Sequence, residues 1–184
     1  MKKYLFLDLD GTIRKPKSGA KFISKPDDQE AIEGALERCE YYSQLGYTLI
    51  GISNQGEVEA RHKTLEQALQ EQTITLRLFP QIESILICPD YLGYACYQIY
   101  LSKKNLPVWI DISMDYPSLS GQYRKPDSGM IRYCLVEYGG AAKDSLFVGD
   151  REEDEQAARN AKIPFILASD WRSVKNRKVE FWIV

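Results

Sequence analysis

Asp8 and Asp10 stand at the end of an apolar run, Tyr4-Leu-Phe-Leu, and are followed by Gly11-Thr12. Such a run reads as a buried parallel strand. Alternate strand residues point the same way, so both carboxylates are predicted to project into one crevice at the strand's carboxyl end. Neighbouring carboxylates repel; a divalent cation relieves the repulsion, or one group keeps its proton. Either outcome sets an ionised nucleophile beside an acid. The glycine then frees the backbone for a sharp turn.

Three more polar groupings complete an inventory: Ser53-Asn54, Arg124-Lys125, and Gly149-Asp150 with Asp154. Each has an ordinary explanation by itself. Asp-Gly is a common turn, Ser-Asn caps helices, a loop lysine is usually solvated, and acids favour helix starts. Together they supply a carboxylate nucleophile, a hydroxyl and an amide for phosphoryl oxygens, fixed cations and further acids. Oxygen-only ligands beside a substrate phosphate suit Mg²⁺ better than zinc or copper.

The elements that must position these groups follow from periodicity. A helix is predicted from Asp27 to Leu45, stopped by Gly46, and a second from Thr64 to Phe79, closed by Pro80. A third is predicted from Asp127 to Tyr138, ended by Gly139-Gly140, with a short acidic helix after Asp150. Strands are expected at Tyr47–Ile52, Ser84–Cys88, Ser145–Val148 and Ile163–Ala168, with a terminal edge strand at Phe181–Val184. Alternating strands and helices imply an α/β fold, a doubly wound, Rossmann-like parallel sheet with helices on both faces. In such a sheet the four groupings converge on one crevice. Two segments break the rhythm: a basic flap at about 14–25 and an aromatic-rich insert at about 90–123, for which no sheet-helix unit is evident. Both are expected to emerge as lids.

Composition sets the outer limits. At 184 residues, 44% apolar and 27% charged, the chain fits a single domain spanning 1–184 with a small insert. A net charge of −2 gives no positive support for a polyanion-binding module. No segment approaches the length of a membrane helix, and Met1-Lys2-Lys3 runs into acids too soon for a signal peptide. Four scattered cysteines without a Cys-x-x-Cys pattern suggest a reduced, cytoplasmic setting. His62, the only histidine, excludes multi-histidine metal sites and sits in a charged stretch typical of surface.

In order, Asp8-Leu-Asp10-Gly-Thr, Ile52-Ser53-Asn54-Gln55-Gly56, Arg124-Lys125-Pro126-Asp127-Ser128-Gly129-Met130 and Val148-Gly149-Asp150-Arg151-x-x-Asp154 resemble the haloacid dehalogenase superfamily of Asp-nucleophile phosphatases. The likeness is to its histidinol-phosphate, heptose-bisphosphate and polynucleotide 3′-phosphatase branch, and spans residue 4 to about 168. It implies a Mg²⁺-dependent phosphomonoester hydrolase with Asp8 as nucleophile, forming an aspartyl phosphate. Asp10 would protonate the leaving alkoxide and then activate water, its backbone carbonyl also meeting the metal. Ser53 and Lys125 would hold the transferring phosphoryl group, and Asp150 would complete the metal site with Asp8. Asp154 would orient Lys125 or a metal-bound water. Thr12, Asn54 and Arg124 would contact substrate.

The chain also departs from that branch. Many of its members carry a zinc loop of Cys-x-His followed by Cys-x-Cys. Here Cys88 matches the first ligand, but Asp90, Gly121 and Tyr123 occupy the others. One ligand in four cannot hold zinc, so none is expected. The insert instead carries Tyr91, Tyr94, Tyr97, Tyr100, Trp109, Tyr116 and Tyr123, as a wall for stacking a base or sugar or as packing. Arg14, Lys15, Lys17 and Lys21 would draw anionic substrates or form a solvated hairpin. The expected partner is a phosphorylated small molecule, with a nucleotide or 3′-phosphorylated nucleic acid as the narrower alternative. A monomer or homodimer is expected. Readings from other classes are a phospho-aspartate receiver and a catalytically silent binding module. Receivers carry their acceptor on the third strand, whereas this acid pair follows the first.

Overall fold

The computed structural model describes residues 2–173. The predicted edge strand at Phe181–Val184 lies outside the described residues. A seven-stranded sheet runs in the order β7 (Pro107–Asp111), β6 (Tyr97–Leu101), β5 (Ile82–Cys88), β4 (Thr48–Asn54), β1 (Tyr4–Leu7), β8 (Leu146–Gly149) and β9 (Phe165–Leu167). Its parallel part consists of β1, β4, β5, β8 and β9. Leu7 pairs with Gly51 on one side and Val148 on the other, so β1 is central. Chain order reverses at β1, which makes its carboxyl end the switch point where open α/β sheets bind ligands.

The alternation within β1 shows how the sheet is held. Leu5 and Leu7 face a core shared with Cys39 and Tyr42 of α1 (Ala35–Gln44), Leu69 and Leu76 of α2 (Leu65–Leu78), and Trp171 of α5 (Ala168–Ser173). Tyr4 and Phe6 face the opposite core, with Met130 and Cys134 of α3 (Gly129–Glu137) and Ala157 and Ala158 of α4 (Glu152–Ala161). Full burial of a large apolar side chain contributes about 1.5–3 kcal/mol, so a strand buried on both faces is strongly anchored. The residue that follows β1 inherits that rigidity.

Three sequence expectations need correction. The first helix begins at Ala35, not Asp27, because Gly34 adopts φ +83 and breaks the helical path. Upstream, β3 (Glu30–Ala31) pairs antiparallel with β2 (Arg14–Lys15), folding the basic flap back on itself. The sheet is mixed rather than wholly parallel. Within the insert, β6 (Tyr97–Leu101) and β7 (Pro107–Asp111) form an antiparallel hairpin that extends the sheet beyond β5. Large apolar residues of both parities, Tyr97, Ile99 and Leu101 on one side of β6 and Tyr100 on the other, hide its alternation.

Candidate active site

Asp8 continues the line of β1: its N–H donates to the Val148 carbonyl (2.9 Å). Its carboxylate is held from two sides. Lys125 Nζ donates to Asp8 Oδ1 (2.5 Å), and Thr12 Oγ1 donates to Asp8 Oδ2 (3.1 Å). Lys125 Nζ also reaches Asp154 Oδ1 (2.6 Å) and the Ile52 carbonyl (3.2 Å), so all three of its protons have acceptors. Asp154, fully buried, turns its other oxygen to the N–H groups of Asp150 and Arg151 (3.2 and 3.1 Å) at the start of α4. One carboxylate thus caps a helix and aims the lysine.

Asp8, Asp150 and Asp154 offer oxygens within 4.8 Å of one another. Lys125 is the cation among them, and the two carboxylates it touches hold its pKa above the usual lysine range, although burial opposes this. Burial is also the largest influence on Asp8. It pushes that carboxyl up to about 7 against the pull of Lys125, with Asp154 and Asp10 adding to the rise. Asp150 is raised as well, by burial and by Asp154. Three carboxylates facing one lysine form a hard-oxygen site with surplus negative charge, and that donor set fits a divalent cation such as Mg²⁺.

Two glycines make this geometry possible. Gly11 sits at φ +87, and a Cβ there would collide with the Asp150 carboxylate. A Cβ on Gly149 would collide with the side chain of Asp154. Arg172 of α5 fixes the turn from outside, donating to the carbonyls of Thr12 (2.5 Å) and Gly11 (3.1 Å).

Asp8 and Asp10 line the same cleft but hold different partners. Asp10 does not join the acid cluster. The strand ends at Leu7, and the Leu9 carbonyl accepts from the N–H groups of Thr12, Ile13 and Arg14, closing a tight turn. The two-residue period therefore stops before Asp10, whose carboxylate turns to Arg14. Arg14 is itself a correction: expected on a solvated flap, it is fully buried. Sequence reasoning also missed its buried neighbours Gln29, Glu71 and Thr75. Glu71, at helical spacing from Ala68 and Thr75 on the buried face of α2, was the available signal.

Thr12 is fully buried against Asp8, so it orients the carboxylate and is not free to meet substrate. Asn54 exchanges hydrogen bonds with the Lys125 backbone, donating to its carbonyl (2.9 Å) and accepting from its N–H (3.0 Å). It splices the end of β4 to the loop carrying Lys125. Ser53 is buried beside the cleft and accepts from Gln55 Nε2 (2.9 Å). Arg124 lies at the mouth, its guanidinium over the Tyr91 ring (5.1 Å) and its Nη1 donating to the Asp90 carbonyl (3.3 Å). The cleft has a volume of about 400 Å³, with Lys15, Lys21 and Phe22 of the flap along one wall.

The aromatic insert mostly packs. Tyr123 is buried, Tyr116 meets Tyr133 edge-on, and Trp109 Nε1 donates to Thr73 on α2. Asp90 accepts from Cys88 Sγ (3.2 Å) and from the N–H groups of Gly93 (2.8 Å), Tyr94 (3.0 Å) and Ala95 (3.0 Å). Tyr123 N–H donates to the Gly93 carbonyl (3.1 Å), joining the two arms of the loop. One thiol and one carboxylate already engaged with backbone do not fit a tetrahedral zinc site.

Comparison with known proteins places these features in context. The family model described as polynucleotide kinase 3 phosphatase matches residues 3–183. The D-glycero-alpha-D-manno-heptose-1,7-bisphosphate 7-phosphatase of Campylobacter jejuni is 28% identical over 169 residues, covering 90% of this chain and 81% of its own. A D-glycero-beta-D-manno-heptose-1,7-bisphosphate 7-phosphatase of Helicobacter pylori is 28% identical over 185 residues, covering 96% and 93%. Among solved structures, the D,D-heptose 1,7-bisphosphate phosphatase of B. bronchiseptica, complexed with magnesium and phosphate, shares the fold. Its TM-score is 0.64 at 22% identity, covering 89% of this chain and 78% of that one.

Proposed function

From a chain that belongs to the polynucleotide kinase 3 phosphatase family, and is thereby a phosphatase of the haloacid dehalogenase type, we propose a Mg²⁺-dependent hydrolase that works through an aspartyl phosphate on Asp8. The observation that carries this reading is the fixed Asp8 carboxylate, gripped by Lys125 and Thr12 beside two further acids. Asp8, Asp150 and the Asp10 carbonyl would hold the ion, with Asp154 behind them. Bound there, Mg²⁺ would offset the surplus negative charge and polarise a phosphoryl oxygen.

Asp8 attacks phosphorus while Asp10 delivers its proton to the departing alkoxide, so the P–O bond to the leaving group breaks as the P–Oδ bond forms. Asp10, now ionised, takes a proton from water. That water displaces Asp8 and releases inorganic phosphate. Lys125 keeps the nucleophile oriented and places positive charge beside the phosphoryl group, and the Ser53 hydroxyl donates to one of its oxygens. Asn54 contributes by holding the Lys125 loop. No zinc is expected, since Asp90 performs the loop's cross-linking.

We favour a small phosphorylated sugar as substrate. A cleft of about 400 Å³ lies at the small end of ligand pockets, and its rim carries Lys15, Lys21 and Arg124 for a second anionic group. The heptose-bisphosphate phosphatases among the relatives support the same class. Purified protein would be assayed with Mg²⁺ against heptose 1,7-bisphosphate, other sugar phosphates and a 3′-phosphorylated oligonucleotide. Turnover of a sugar phosphate that EDTA abolishes is the expected result. Preference for the oligonucleotide would overturn the substrate class, and undiminished turnover by Asp8→Asn would overturn the mechanism.

A further inference from the structure

Beyond the acid cluster, the cleft is backed by a second and unusual charge array. Arg14 has no solvent exposure and contacts four side chains. Its Nε donates to Asp10 Oδ1 (3.0 Å) and its Nη2 to Asp10 Oδ2 (3.3 Å), a two-pronged grip. The same Nη2 reaches Glu71 Oε1 on α2 (2.6 Å). Nη1 donates to Gln29 Oε1 (3.3 Å) and to Thr75 Oγ1. Glu71, with its side chain 1% exposed, is held at its other oxygen by Lys63 Nζ, which in turn lies 3.5 Å from Glu57 Oε2. Charges thus alternate from Asp10 through Arg14, Glu71 and Lys63 to Glu57.

The array opens to solvent at both ends, where the side chains of Asp10 and Glu57 are 42% and 34% exposed and line the cleft. A buried ion-pair array is a poor way to gain stability, because apolar side chains of similar volume fill the same space at less desolvation cost. A planar fork with four partners is, by contrast, an effective way to fix one carboxylate in one orientation. We propose that Arg14 is a positioning residue: clamped from behind by Glu71, Gln29 and Thr75, it aims the Asp10 carboxylate at the leaving-group oxygen. The proposal rests on the assignment of Asp10 as proton donor made above. It concerns placement of the donor, and Arg14 itself touches no substrate.

Leaving-group dependence separates aiming from general support. An alkyl phosphate leaves as a strongly basic alkoxide and needs a proton in the transition state; a nitrophenyl phosphate does not. The constant kcat/KM reports the chemistry only as far as Asp8 phosphorylation, before Asp10 acts on water. For Arg14→Gln, kcat/KM with an alkyl phosphate is expected to fall on the order of 10²-fold, as misplacement of a reacting group does, while nitrophenyl phosphate changes by less than about threefold. Glu71→Gln keeps Asp10 and Arg14 and weakens the clamp, while Glu57 remains as a counter-charge for Lys63. It should show the same graded loss, about tenfold on the alkyl ester, and it serves as the test if Arg14→Gln does not fold.

Asp10→Asn is the reference. If Asp10→Asn is graded but both clamp variants lose activity uniformly, or lose none, Arg14 is not a positioning residue. Should Asp10→Asn itself lose activity uniformly, the proton-donor assignment fails and the proposal falls with it.

Discussion

At the scale of single residues, the site is governed by how one buried cation is shared. Lys125 is the counter-charge to Asp8 and Asp154, both close to fully buried. Replacing it with methionine would leave two carboxylates in the interior without compensation, an expected loss of about 3–5 kcal/mol by urea unfolding as well as loss of turnover. Asp8→Asn is expected to behave differently. The amide oxygen still accepts from Lys125 and one of three crowded negative charges disappears, so the melting temperature should not fall while phosphate release stops. Gly11→Ala joins an unfavourable φ of +87 to a collision with Asp150. Mg²⁺ affinity measured by titration should drop along with kcat, with the core strands still protected in hydrogen exchange.

At the scale of elements, the mouth of the cleft depends on hydrogen bonds that join the two arms of the insert. Asp90 ties residues 90–95 through its carboxylate, and the Gly93 carbonyl ties that arm to Tyr123, one residue before Arg124. Asp90→Ala is expected to free Tyr91 and Arg124 at the cleft mouth. Substrate KM should rise several-fold with kcat changed less, since Asp8 and Lys125 are anchored elsewhere. EDTA should stop turnover until Mg²⁺ is restored, yet leave the rate of limited proteolysis within this loop unchanged; accelerated cleavage would reveal a structural metal. The hairpin β6–β7 was the element least visible beforehand. Tyr and Trp side chains fall on both of its faces, so no simple alternation marks the strands, and their pairing with β5 is a long-range event.

At the scale of the whole molecule, both sheet faces are closed over β1 by helices, and the thiols lie within that closure. All four cysteines are buried and unpaired. Burial pushes the Cys39 and Cys88 thiols up to about 12, with the Asp90 carboxylate adding to the effect at Cys88, and it raises Cys96 and Cys134 as well. A raised thiol pKa leaves almost no thiolate near neutrality. At about pH 8 the native protein should therefore react negligibly with a disulfide reagent, and all four thiols should appear once guanidinium unfolds it. Fast reaction of even one would contradict the closed core. Among the described residues, no helix is long and apolar enough to cross a membrane.

Much of this architecture was legible in the chain. Apolar runs marked β1, β4, β5 and β8, because strands buried on both faces have few polar positions. The polar groups at their carboxyl ends then had to meet, because parallel strands place those ends on one edge. Asp8, Lys125, Asp150 and Asp154 do lie together at that edge. Asp10 lines the expected cleft, but its pairing with Arg14 and the burial of Arg14 were not legible, because periodicity stops at a turn and local spacing no longer says which way a side chain points. Partners 15, 57 and 61 residues away decided the fate of Arg14. Residue order determined the chemistry on offer and the rim that gathers it. Tertiary packing alone decided how Asp10 is aimed, since a buried charge adopts the orientation that all its hydrogen-bond partners jointly permit.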